Sequence, residues 1–239
     1  MSWISKRISG GPPISPKIEL IRSINSGGTY IAAESAPDNP VKGPWGSIGV
    51  TTTAYDALLF SVMFPSRNFS YPRVLFDLGI GVPPVPWVEN IWMYPGYNQY
   101  QTYAILIPIA VPSGTPLSAR MQTASFSGGF DAYVTLLGII GTGMNSASSI
   151  LTLGADTLRT CGAHLTGGST SLQFGPYTHL TENLPADAKW LSFAVGPPVL
   201  TPPWRLDATF QLDVAYGDPY QTLIDRLPLS TDGLADCTA

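Results

Sequence analysis

Charge is what this chain is shortest of. Only 12% of its 239 residues are Asp, Glu, Lys or Arg, about half the share of an ordinary soluble domain. The twelve basic residues are scattered and form no run, so the chain carries no electrostatic footprint for nucleic acid. No apolar stretch approaches the ~20 residues of a membrane-spanning helix, so no membrane partner is expected. The opening MSWISKRISGGPP has the positive charges of a secretion signal but not its apolar centre, and export by that route is not expected. The acceptor-like Asn68-Phe69-Ser70 is therefore set aside as a glycosylation site.

Reactive side chains are equally sparse. Two cysteines, Cys161 and Cys237, are too few for a disulfide framework; the sequence allows one bridge or none. His164 and His179 are the only histidines. Both fall at ordinary strand positions of the repeat described below, and no G-x-S-x-G elbow exists to use them as a base. Cys161-x-x-His164 lacks the paired second motif of a zinc site. GIGVPP lacks the third glycine of a dinucleotide loop. The acids do not cluster as a calcium loop or a glycosidase pair. No catalytic residue, metal or cofactor is expected.

What the chain does have is 24 glycines, 23 prolines and 44% hydrophobic residues, 11% of all residues being aromatic. That mixture excludes a disordered polymer and suits short strands punctuated by turns. Residues 29–36, 45–53, 57–64, 73–81, 90–94, 103–111, 116–124 and 132–140 are β-branched or aromatic segments bounded by Pro, Gly, Asn or Asp. Their spacing predicts an antiparallel sandwich or jelly roll. Pro108 and Pro112 place an edge or a bend at the end of 103–111. Pro112 to Thr115 reads as a turn, after which Leu117 and Ala119 point inward and Arg120 outward, toward solvent or a neighbouring subunit.

The pattern is written twice. VLFDLGIG, Val74 to Gly81, returns as FQLDVAYG, Phe210 to Gly217, with Asp77 and Asp213 standing 136 residues apart. Gly81 and Gly217 close the two phrases. Gly43-Pro44-Trp45 likewise meets Gly175-Pro176-Tyr177, so Trp45 pairs with Tyr177. A period this long is a duplicated domain and not a solenoid. In copy one Val74, Phe76, Leu78 and Ile80 share a face, and Asp77 interrupts from the other, able to bond the adjacent turn. About forty residues of copy one, from Asn98 to Ile140, have no counterpart. The expected fold is all-β: two tandem antiparallel sandwich or jelly-roll-like domains with an extended amino-terminal arm. Its parts are the arm at 1–27, domain one at 28–141, a Gly/Ser-rich linker at 142–160 and a shortened domain two at 161–239. Strands absent from domain two are expected from a neighbour or from the arm.

Two stretches are candidate contacts. The arm carries Trp3, Ile4 and Ile8, which need something to lie against, or else form a loose terminus. Trp87, Trp92, Tyr94, Tyr97, Tyr100 and Tyr103 crowd one bent segment beside Asn98, Gln99 and Gln101. They suit a subunit interface or core more than a glycan platform, because the segment is broken by Pro and Gly.

With these residues in view, the chain resembles a family of uncharacterised virion proteins of tailed bacteriophages. The likeness rests on Gly43-Pro44-Trp45-Gly46-Ser47-Ile48, on Leu75 to Gly81 (LFDLGIG), on Ile107 to Gln122 (IPIAVPSGTPLSARMQ) and on the segment Leu153 to Thr170. It runs from about Gly28 to Leu229 and departs from the family pattern in lacking a second PAGTRLAAR-like element. The resemblance implies a non-enzymatic particle component in the virion. Its partners would be the major capsid protein or other virion proteins and further copies of itself, a trimer among the admissible states. A capsid decoration or cement protein is the first reading. A head-fibre, neck or tail protein binding host glycan is the second.

Overall fold

The computed structural model describes residues 16–21, 29–33, 41–64, 74–93, 102–123, 130–141, 146–154, 174–180, 192–193, 209–217, 221–230 and 237–238. Among these there is no helix. The strands are β1 (Lys17–Ile21), β2 (Thr29–Ala33), β3 (Gly46–Val50), β4 (Ala57–Met63), β5 (Val74–Ile80), β6 (Val85–Met93), β7 (Thr102–Ile107), β8 (Pro116–Thr123) and β9 (Phe130–Ile140). They continue with β10 (Ser192–Phe193), β11 (Thr209–Tyr216), β12 (Gln221–Ser230) and β13 (Cys237–Thr238).

β1 to β9 build two antiparallel sheets. One runs β1-β9-β4-β7, with β2 also paired to β9, and the other runs β3-β8-β5-β6. Period-two alternation sorts each strand into an inward and an outward row. Leu58, Phe60 and Val62 of β4 and Val134 and Leu136 of β9 face Val74, Phe76 and Leu78 of β5 and Ala119 and Met121 of β8 in one buried core. Phe60 meets Phe76 across the gap edge to face, with ring centroids 5.4 Å apart. This sheet-on-sheet packing is the expected sandwich.

Three features go beyond the expected pattern. β6 begins five residues before the expected segment, at Val85, although Pro86 lies within it. It is the edge strand, where a missing N–H costs no ladder bond. β7 ends at Ile107, before Pro108, and the chain continues only through single bridges, Ile109 with Ala147 and Tyr55 with Val111. Residues 146–152, within the segment read as a linker, lie against the first sandwich. Ala147 donates its N–H to Pro108 O at 2.6 Å, Ile150 packs on the core, and Thr152 Oγ1 donates to Glu89 O of β6 at 2.6 Å. This strap closes the open flank between edge strands β7 and β6.

Part of the amino-terminal segment is also used at home. β1 pairs with β9 from Lys17↔Ile140 to Ile21↔Leu136, and β2 continues along the same strand from Thr29↔Val134. Glu19 of β1 accepts a hydrogen bond from Tyr55 Oη at 3.2 Å and forms an ion pair with Lys17. The Lys17 ammonium, assisted by the tyrosine, holds the Glu19 carboxyl below its ordinary value. The contribution of Glu19 is therefore complete above the ordinary carboxylate range. It is lost as pH falls through the lowered folded value. Protection of the β1 amides, taken relative to their intrinsic exchange rates, is expected to hold down to about pH 4.5 and to fall below it before that of the core amides of β4 does.

β11 and β12 form a second hairpin, and it matches the β5–β6 hairpin in register. Between β5 and β6 the pairing slips at Phe76/Leu78 and again at Leu78/Gly79. Between β11 and β12 it slips at Leu212/Val214 and again at Val214/Ala215, the same positions displaced by 136 residues. Both aspartates sit at the first slip. Gly81 and Gly217, which end the two strands, have φ of +87° and +78°, a conformation that favours glycine. The hairpins differ in setting. β5 has β8 on its other side, and Asp77 is fully buried, whereas Asp213 is half-buried and Tyr216 is exposed.

Candidate functional site

The sequence singled out Trp45, Asp77 and Arg120 for separate reasons, and the fold brings them together. Asp77 lies mid-strand in β5, on the outward side of the four-stranded sheet. Its register partner on β8 is Arg120. Arg120 Nε donates to Asp77 Oδ2 at 2.8 Å, and the guanidinium lies over the Trp45 ring, 4.4 Å from its centroid. Arg120 does face away from the core, and its guanidinium is held within its own chain.

The other carboxylate oxygen is also engaged. Asp77 Oδ1 accepts from Lys42 Nζ and from the backbone N–H of Asn90 at 2.8 Å. Lys42 Nζ also donates to Asn90 Oδ1 at 2.7 Å. Asn90 stands in the bulge of β6 with φ of +59°, a left-handed conformation that asparagine tolerates better than most residues. The bulge turns its N–H onto the carboxylate. Asp77 thus bonds neighbouring strands, not the adjacent turn; the Gly81 N–H goes instead to Pro116 O at 3.0 Å.

Glycine at 79 makes room for the indole. A Cβ there would stand 2.8 Å from Trp45 Cζ3. Gly79→Ala must push the indole off the sheet and disturb the cation above it. We expect it to cost about 1–3 kcal/mol in urea unfolding, with loss of the Trp45 near-ultraviolet signal.

Chemically this cluster is a clasp. Each carboxylate oxygen has a cationic partner, and Asp77 has no exposed surface from which to take a proton or attack a substrate. Charge-assisted bonds of this kind fix strand register and lock the segment before β3 over the sheet. Among the described residues no cluster of His, Cys, Asp or Glu could hold a metal ion, and no helix is long and apolar enough to cross a membrane.

The aromatic candidates separate. Trp87 and Tyr103 pack against the core. Tyr103 lies 6.0 Å from the Phe64 ring, and burial pushes its hydroxyl up to about 12. Trp92 stands half-buried opposite Leu75. Tyr177 is exposed, as is His179. Trp3, Ile4, Ile8, Tyr94, Tyr97, Tyr100, Cys161 and His164 lie outside the described residues.

No family model matches the chain, and no curated protein does. Among solved structures it is similar to a mutant VP2 protein of infectious bursal disease virus in derived T=1 particles. That overlay has a TM-score of 0.29 and 11% identity, covering 59% of this chain and 35% of the other. The infectious bursal disease virus Gx strain gives 0.28 and 10% over 61% of this chain and 38% of the other. The Gt strain gives 0.27 and 10% over 61% and 37%. The chain therefore spans little more than a third of the structures it matches, and overlays at this level assign it no function.

Proposed function

We propose that this chain is a non-enzymatic structural component of a tailed phage particle, a decoration or cement protein that holds shell subunits through many weak contacts. One observation carries the reading. The phrases shared with the phage virion family are scaffold in this fold: LFDLGIG is β5, PSGTPLSARMQ is the turn into β8 with β8 itself, and Trp45 closes over both. Their polar groups bind one another. Such a protein works by the faces it presents, strengthened by repetition over a symmetric shell.

Its partners on this reading are the major capsid protein, other virion proteins and further copies of itself, and its place is the virion. The second reading is a head-fibre, neck or tail protein that binds host glycan through Trp87 to Tyr103. Trp87 and Tyr103 packing against the core favours the first. The test is binding by the purified chain to host cells and to purified shells lacking it. Saturable binding to shells, unchanged in Trp92→Ala, supports decoration. Binding to cells alone, abolished by Trp92→Ala or Tyr97→Ala, would replace it with the second reading.

A further inference from the structure

β5 and β11 are one strand in two settings. β5 is held on both sides, by β6 and by β8. β11 has β12 in the place of β6, and among the described residues no strand stands in the place of β8. Burial differs accordingly. Phe76, Asp77 and Leu78 are buried, whereas their counterparts Leu212, Asp213 and Val214 are partly exposed and Tyr216 is 56% exposed. A strand edge of this kind, beside half-covered apolar side chains, is a site for strand addition. The sequence holds a second segment of the type that fills it. β8 contains Leu117-Ser118-Ala119-Arg120-Met121-Gln122, and the segment before β1 contains Ile4-Ser5-Lys6-Arg7-Ile8-Ser9. Ser-x-Arg occurs at these two places in the chain and at no other.

We propose that residues 4–9 dock on the open edge of β11 in the same chain, antiparallel, as β8 docks on β5. The pairings Asp77↔Arg120 and Ile80↔Leu117, carried to the second hairpin, set Asp213 against Arg7 and Tyr216 against Ile4. They also set Leu212 against Ile8 and Val214 against Lys6. Charge selects this segment, because Arg7 meets the aspartate as Arg120 meets Asp77. Lys6 replaces Ala119, and a half-covered Val214 leaves room for its stem to lie on apolar surface with the ammonium in water. The segment is the chain's own. Lys17 pairs with Ile140, so the chain before β1 leaves the first sandwich beside the point where it leaves β9 toward the second hairpin. Residues 10–16, GGPPISP, lie between and allow a reach of roughly 27 Å from Lys17 to Ser9. So short a tether holds the segment at an effective concentration on the order of mM, which favours it over a second copy. The docking is internal and independent of any place on a particle.

Two measurements test it. Gly81 donates to Pro116 O at 3.0 Å, so by alternation Asp77 and Gly79 bond β8, and Asp213 and Ala215 turn their N–H groups to the docked segment. Amide exchange at Asp213 and Ala215, read by NMR, should quicken at least ~10-fold when residues 1–9 are removed, with Asp77 and Gly79 unchanged. Arg7→Glu should act in the same direction, and Arg7→Glu/Asp213→Arg should restore part of the protection. The second measurement is disulfide trapping in the full chain with Cys161→Ser and Cys237→Ser. Lys6→Cys/Val214→Cys places the two Cα atoms about 4.5 Å apart, within disulfide range. Mild oxidation should join them within one chain, while Arg7→Cys/Val214→Cys, one residue out of phase, should join poorly. Unchanged exchange at Asp213 and Ala215, no bridge between positions 6 and 214, or a bridge that joins two chains would overturn the proposal.

Discussion

Asp77→Ala is expected to lower the stability of the first sandwich by about 3 kcal/mol, the low end for breaking a buried ion pair. The magnitude follows from what remains. Arg120 and Lys42 would face one another without the carboxylate, and the Asn90 N–H would lose its acceptor. The low end applies because side chains 42 and 120 are 19% and 21% exposed, so water relieves part of the charge. Removing Arg120 as well should recover part of the loss, and the double-mutant cycle in urea isolates the coupling. A double-variant loss equal to the sum of the two single losses would mean that the clasp contributes no coupling.

Phe60→Ala should cost more, about 3–5 kcal/mol. Phe60 is fully buried and meets Phe76 edge to face across the sandwich. Its loss opens a cavity between two sheets that are each hydrogen-bonded laterally and cannot collapse inward. Phe76→Ala should behave alike. The pair should be non-additive by roughly 0.5–1.5 kcal/mol, because each single variant already removes the ring contact. A loss below 1 kcal/mol for either would mean that the sheets can close up at this point.

Much of the first sandwich was legible because its strands are short and its turns are marked. All eight expected segments contain a strand. The faces were harder to read. ALLFSVM of β4 and the end of β9 are apolar on both sides, so period two cannot tell core from surface there; only the opposite sheet does. β6 lost its first half to prolines, which an edge strand accepts. The clasp was half legible. Asp77 in an apolar run and Trp45 near a glycine were visible, but Lys42 is 35 residues from Asp77 in sequence, and only a strand pairing brings it back. Asn90 carried a faint signal, as a turn-forming residue inside a strand. Arg120 could be aimed outward from its neighbours, but its partner depended on the β5–β8 register.

The repeated phrase has a physical content that the hairpins share. A strand that must bulge twice and end in a left-handed glycine constrains its sequence at the same positions each time. We read the two hairpins as copies of one unit on that ground, with β8 supplying the charge partner in the first.

The account turns on the chain being part of a particle, and its copy number in purified particles tests that most directly. Quantitative mass spectrometry against the major shell protein would supply it. The account predicts hundreds of copies per particle, enough to coat a shell. Its absence from particles would contradict the account and leave a β-sandwich whose contacts serve some other assembly.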